Sequence, residues 1–212
     1  MSVKIGVLAL QGAFREHVRM LKRCGIEAEE VRLPLQLDDL SGLVIPGGES
    51  TTMVKLLRRY GFEAPLEHFA SSGRPLFGTC AGAILLAAGQ DGCKKTLFPH
   101  VDIDITRNAY GRQIESREAE VELSFSKDPP FNAIFIRAPI INATGPSVEA
   151  LSFYRGRVVL ARDAAILVAT FHPELTEDDR IHRYFISMVK NAQVNDAVFS
   201  IMPEPRQAAY VK

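Results

Sequence analysis

A thiol, an imidazole and a carboxylate stand in this chain where they can act together on a carbonyl carbon. The thiol is Cys80, in Gly78-Thr79-Cys80-Ala81-Gly82. Residues 75–77 read as a short buried strand and residues 83–88 as an apolar helix. A side chain at such a strand-to-helix junction is forced into a strained backbone conformation and held clear of the sheet. Glycines two before and two after it leave room for the bend and for a substrate. The helix that follows aims its free N–H groups and positive dipole end at the sulfur, which favours thiolate. A buried structural cysteine fits the same letters, so the thiol alone does not decide the chemistry.

The base is expected far downstream. Residues 166–171 form a continuous apolar run, the pattern of a central strand buried on both faces. The run ends in His172-Pro173-Glu174. In an open parallel sheet, chemistry gathers beyond the C-terminal strand ends. The fold can therefore bring His172 to Cys80, with Glu174 accepting a proton from the far ring nitrogen. A lone histidine in this place would be an ordinary loop residue.

A third segment follows the apolar strand at residues 43–45. It is Pro46-Gly47-Gly48-Glu49-Ser50-Thr51-Thr52. Its glycines allow a backbone N–H to turn inward and, with that of Ala81, cradle an oxyanion; losing one such donor costs about 2.7–4 kcal/mol in other enzymes. Ser50 or Thr51 is also expected to cap the helix carrying Met53, Leu56 and Leu57. The Gly-Lys-Ser/Thr of a phosphate loop is absent, which speaks against nucleotide binding.

With these segments in place, the chain resembles the class I, triad-type glutamine amidotransferases. Within them it is similar to the glutaminase subunits of pyridoxal 5′-phosphate synthase. The likeness rests on residues 6–12 (GVLALQG), 15–17 (REH), 45–52, 78–82, 107–113 (RNAYGRQ), 135–139 (FIRAP) and 171–176 (FHPELT). It implies hydrolysis of L-glutamine to L-glutamate and ammonia, with ammonia delivered to a separate barrel-type synthase subunit. It implies Cys80 as nucleophile, His172 as base and acid, and Glu174 as orienting partner. Gly48 and Ala81 would form the oxyanion hole. Gly48, Glu49, Ser50, Arg107, Ile136 and Arg137 would line the glutamine pocket. Gln11, Glu16 and His17 would lie toward the synthase contact, Gln11 coupling it to the site. No cofactor and no metal is implied. Segment 89–100 departs from the family pattern, which leaves its loop geometry open.

The substrate's charges agree with part of this. A carboxylate such as Glu49 suits the glutamine ammonium, and Arg107 or Arg137 suits its carboxylate through charge-assisted bonds. Either arginine would otherwise be an ordinary surface charge. Tyr110 and Gln113 have loop packing as their plain reading. Two other functions stay open: a different cysteine hydrolase of related fold, such as a gamma-glutamyl peptidase, and a non-catalytic assembly subunit.

The elements that must position these residues follow from length and pattern. The 212 residues suffice for one sizeable core, expected over residues 1–192, with a loosely held polar tail at 193–212. Twenty-five basic and 25 acidic residues cancel, which speaks against a nucleic-acid partner. No apolar stretch reaches the length of a membrane span. Three scattered cysteines and no signal-peptide pattern point to a reducing cytoplasm rather than a disulfide framework.

The expected fold class is α/β: a flavodoxin-like, doubly wound, mostly parallel sheet with some antiparallel strands and helices on both faces. Strands are predicted at 3–10, 28–33, 43–45, 132–136 and 157–161, and alternating, half-exposed ones at 101–106 and 119–123. Helices are predicted at 13–24, 52–60, 66–71 and 177–189, with residues 89–96 as a loop. His100, Asp102 and Asp104 share a strand face but read as a solvated edge, not a metal cluster. Cys24 and Cys93 read as incidental, and His17 with Glu16 as a solvated helix face.

Overall fold

The computed structural model describes residues 3–92, 96–107 and 116–201. Twelve strands are seen among these residues. They are β1 (Lys4–Leu8), β2 (Glu27–Val31), β3 (Gly42–Ile45), β4 (Leu76–Thr79), β5 (Ala87–Gln90), β6 (Val101–Thr106), β7 (Ser116–Val121), β8 (Phe131–Ile136), β9 (Ile140–Thr144), β10 (Val148–Tyr154), β11 (Arg157–Asp163) and β12 (Ile166–Ala169). The helices are α1 (Phe14–Arg23), α2 (Ser50–Arg59), α3 (Glu63–Ser71), α4 (Ala81–Leu86) and α5 (Arg180–Ile201).

Seven strands form the main sheet in the order β10-β11-β12-β4-β3-β1-β2. The five from β12 to β2 run parallel, and β10 and β11 add an antiparallel edge. Every residue of β3, β4 and β12 is buried, as continuous apolar runs covered on both faces require. Period-two alternation then sorts their side chains. Leu43, Ile45, Leu76 and Val168 join Met53, Leu57, Phe62, Phe69 and Ile84 on one face. Val44, Phe77 and Leu167 join Leu21, Phe171, Ile181, Phe185 and Val189 on the other. Truncating a fully buried ring such as Phe77 to alanine costs about 3–5 kcal/mol in comparable cores. Two smaller sheets, β5-β6-β9 and β7-β8, complete the fold.

Several elements differ from expectation. The apolar run after Cys80 is helical only through Leu86; Ala87–Gln90 then pairs parallel with β6 instead of forming helix and loop. Backbone groups that a polar, glycine-containing segment leaves open are satisfied by the neighbouring strand. Strands β9 and β10 carry no clear prior signal, and β10 contains register shifts near Ser152. The last helix begins at Arg180 and continues to Ile201, past the expected end at 189 and into the expected tail. Gln193 donates to Ser41 Oγ at 2.8 Å there, tying this part of the helix to the turn before β3.

Candidate active site

Strands β4 and β12 are parallel neighbours, with Thr79 paired to Ala169 at their ends. Both chains therefore leave the sheet side by side. Cys80 follows β4 immediately, and its N–H donates to the Ala169 carbonyl at 2.8 Å. The cysteine has φ 47° and ψ −99°, a strained conformation for a residue with a Cβ. Helix α4 starts at the next residue and packs closely under β3. A Cβ added at Gly82 would lie 2.0 Å from the Ile45 carbonyl oxygen, so only glycine permits that approach.

His172 comes three residues after β12. Its N–H donates to the Ile134 carbonyl on β8 at 2.8 Å, which anchors the base to the small sheet. Its Nδ1 lies 2.8 Å from Glu174 Oε1. The Cys80 side chain lies beside the ring and interacts with it electrostatically; a Cβ built at Gly47 would touch both. Burial works to lower the pKa of His172, but the contacts with Cys80 and Glu174 outweigh it and raise the pKa to about 10. The site thus favours an imidazolium between carboxylate and sulfur. His172 and Glu174 are both buried, and Cys80 with them.

The glycine segment closes over this line. Gly47 stands against the base: a Cβ there would lie 2.3 Å from His172 Cε1 and 3.2 Å from Cys80 Cβ. Its N–H donates to Thr79 Oγ1 at 2.9 Å, and its carbonyl accepts from Ala13 N–H at 3.3 Å. Gln11 grips the next turn through both backbone groups of Glu49. Its Nε2 donates to the Glu49 carbonyl at 3.0 Å, and its Oε1 accepts the Glu49 N–H at 3.2 Å.

A cleft of about 270 Å³ opens onto these groups. Gly48, Glu49, Ser50, Arg107, Ile136 and Arg137 line it together with Cys80 and His172. Arg107 Nη1 donates to Thr51 Oγ1 at 3.2 Å. The Ile136 carbonyl lies 3.8 Å from the Cys80 sulfur, and Arg137 beside it has φ 43°.

Two expected roles change. Glu49, not Ser50 or Thr51, caps α2. Its carboxylate accepts from the N–H groups of Thr51 (3.0 Å) and Thr52 (2.7 Å) and from the Thr52 hydroxyl (2.7 Å). The Thr52 hydroxyl leads these bonds in lowering its pKa to about 2. The same residue also lines the cleft. His17 is fully buried rather than on a solvated helix face, because it shares the inward stripe of α1 with Met20 and Leu21. Glu16 and Gln11 are half-buried. His100 pairs with Glu67 at 2.9 Å, and Asp104 accepts from Asn142 at 2.9 Å. Cys24 is half-buried and lies 3.7 Å from an Asp179 oxygen. Tyr110, Gln113 and Cys93 fall outside the described residues.

A family model described as the SNO glutamine amidotransferase family matches residues 7–191. The chain belongs to that family. It is 50% identical over 193 residues to "Pyridoxal 5'-phosphate synthase subunit PdxT" of Pelotomaculum thermopropionicum, covering 91% of this chain and 98% of the relative. The protein of the same name from Geobacillus kaustophilus is 51% identical over 192 residues, covering 91% and 97%. A solved structure titled "Crystal structure of glutamine amidotransferase" superposes with a TM-score of 0.81 at 46% identity, covering 88% of this chain and 98% of that one. The fold class expected from sequence, a mostly parallel sheet with helices on both faces, is the one seen and is shared with that amidotransferase. No helix among the described residues is long and apolar enough to cross a membrane.

Thr79 and His182 were missed as participants, and His17, expected toward the synthase contact, stands with them. Thr79 lies 3.2 Å from His17 Nε2 while accepting the Gly47 N–H. His17 Nδ1 in turn lies 2.9 Å from His182 Nε2. The available signal was periodicity. His17 stands three and four residues from Met20 and Leu21, and His182 stands three and four from Phe185 and Ile186.

Proposed function

We propose that this chain is the glutaminase subunit of a pyridoxal 5′-phosphate synthase, hydrolysing L-glutamine with Cys80, His172 and Glu174. One observation carries the reading: a buried carboxylate–imidazole–thiol line whose sulfur opens onto the cleft beneath the Gly47–Gly48 backbone.

The Cys80 thiolate attacks the side-chain amide carbon of glutamine. The oxyanion that forms is met by the N–H of Ala81, at the start of α4, and by that of Gly48, since the Gly47 N–H is taken by Thr79. His172 gives its Nε2 proton to the leaving nitrogen, and ammonia departs, leaving a thioester. A water then loses a proton to His172 and attacks the thioester carbon. Collapse returns the sulfur as thiolate and releases glutamate. Glu174 holds the ring through Nδ1 and favours the imidazolium throughout. Arg107 and Arg137, both exposed at the cleft, suit the substrate's α-carboxylate.

The ammonia passes to a separate, barrel-type synthase subunit. Hydrolysis without an acceptor wastes glutamine, so turnover is low until that partner docks. Gln11, clamped on the Glu49 backbone, is placed to transmit the docking to the oxyanion loop. A reducing cytoplasm suits a reaction that needs a free thiol.

The test is glutamate release from glutamine by the chain with and without purified synthase, in wild type and Cys80→Ala. Activity that rises with synthase and vanishes in the variant is expected. Turnover that survives Cys80→Ala overturns the reading.

A further inference from the structure

Behind Glu174, on the side away from the base, two histidines are sealed in the core. His17 (α1) and His182 (α5) are both fully buried, packed edge-on against Phe77 with ring centroids at 6.0 and 5.9 Å. Their nitrogens lie 2.9 Å apart. The other nitrogen of His17 is 3.3 Å from Glu174 Oε2 and 3.2 Å from Thr79 Oγ1. Among the described residues that carboxylate oxygen makes no hydrogen bond, although its side chain is wholly buried; the His17 nitrogen stands beside it within ion-pair distance.

We propose that His17 is a positioning residue for the catalytic carboxylate: its Nε2 carries the proton, bonded to Thr79 and lying beside Glu174, and His182 holds it in that tautomer. The inference rests on the triad reading above.

Proton bookkeeping decides between two arrangements. An ionised carboxylate only accepts hydrogen bonds. If His17 carried its proton on Nδ1, its Nε2 lone pair would face Glu174 Oε2. A buried oxygen would then have no donor and would oppose a lone pair, which folded proteins avoid. With the proton on Nε2, that oxygen instead has the positive edge of an N–H 3.3 Å away, an attractive contact although not aligned as a hydrogen bond. His17 Nδ1 then becomes an acceptor, filled by the Nε2–H of His182. His182 Nδ1, which has no hydrogen-bond partner among the described residues, is left as the bare end of the chain. A doubly protonated His17 is disfavoured by burial first, then by His182 and His172, which hold its pKa well below the usual histidine value.

The N–H therefore bridges two working parts. Glu174 Oε2 lies against His17 at 3.3 Å while Oε1 holds His172. Thr79, on the other side of the bridge, accepts the Gly47 N–H and so orients the loop that supplies an oxyanion donor. Both base and loop are referenced to one buried ring.

Nitrogen-15 NMR of the histidine-labelled chain reads the tautomer directly. The resonance lost in His17→Gln should belong to a neutral ring protonated at Nε2; a ring protonated at Nδ1 or at both nitrogens overturns the proposal. This wild-type reading decides the matter even if a variant fails to fold. In the synthase-activated assay, His17→Leu should lower kcat about 10–100-fold, the scale of outer-shell partners in metal sites. KM should stay within about twofold. His17→Gln, whose Nε2 can donate from the same place, should recover most of the loss. Unchanged kcat in His17→Leu, or equal losses in both variants, overturns the proposal. Cys80→Ala is run alongside: turnover there removes the triad reading itself, whereas a dead Cys80→Ala beside an unaffected His17→Leu removes this inference alone.

Discussion

Glu174 holds His172 from only two residues away along the chain, with Oε1 at 2.8 Å from Nδ1 and Pro173 between them. Such closeness needs the tight turn that follows β12, a 3₁₀ turn at Pro173–Leu175. The proline fixes φ at its first position and has no N–H to lose there. The carboxylate so placed sets the tautomer of the ring and stabilises its charged form. Glu174→Gln keeps the shape but puts a neutral amide at that position. In a serine protease the comparable change lowers kcat by about 10⁴. A loss of at least about 10²-fold in synthase-activated kcat is expected here, by the same loss of tautomer control. A Gln variant with near wild-type kcat would remove Glu174 from the mechanism.

Gly47 is required by contact rather than by backbone conformation. A methyl group there would press on the His172 ring at 2.3 Å and on the Cys80 side chain at 3.2 Å. Ring and sulfur are held by their own bonds to Glu174 and to the Ile136 carbonyl, so the loop must move instead. Gly47→Ala is therefore expected to lose glutaminase activity by displacing the oxyanion donors, with helix content by circular dichroism unchanged. Full activity in this variant would show that the loop has slack.

The convergence of Cys80, His172 and Glu174 was legible in the sequence because strong local signals flank the thiol and the imidazole. Cys80 lies between a buried strand and a glycine-punctuated helix, and His172 ends a six-residue apolar run. Continuous apolar runs marked β3, β4 and β12, whose order in the sheet then brings the residues together. Cap identity was not legible. Glu49, Ser50, Thr51 and Thr52 all carry acceptor oxygens, and only the backbone path decides which one faces the open N–H groups. His17 was misread as a solvated helix face because polarity was weighed above period, and its partner His182 drew no reading. Strand β10 escaped because its burial does not alternate cleanly and its register shifts near Ser152.

The Glu49 cap is a stability element with a measurable share. Its carboxylate satisfies two free N–H groups at the start of α2 and meets the positive end of the dipole. Glu49→Ala should lower unfolding stability by about 0.5–2 kcal/mol in urea titration near neutral pH. Because the bonded carboxylate stays ionised down to about pH 2, its contribution is held above the unfolded value near 4.5 and fades as pH falls toward 2. An unchanged urea midpoint at pH 7 would mean that solvent caps this helix equally well.

The core histidines give the fold a pH optimum. Burial dominates in holding both His17 and His182 neutral, His182 with a pKa of about 3. Unfolded, each would titrate near 6.5. Below that pH the unfolded chain takes up protons that the folded core refuses, so their contribution is intact above 6.5 and lost on acidification. The slope is about 1.4 kcal/mol per pH unit for each histidine. His172 works in the opposite sense. Its raised value, about 10, gives stability that is full below 6.5 and lost as pH rises toward 10. Urea midpoints should therefore peak near pH 6.5 and fall on both sides, with His182→Gln flattening the acid limb between pH 6.5 and 4.5. Few carboxylates titrate in that window, so an acid limb already flat in the wild type would mean that the two rings can take up protons inside the core.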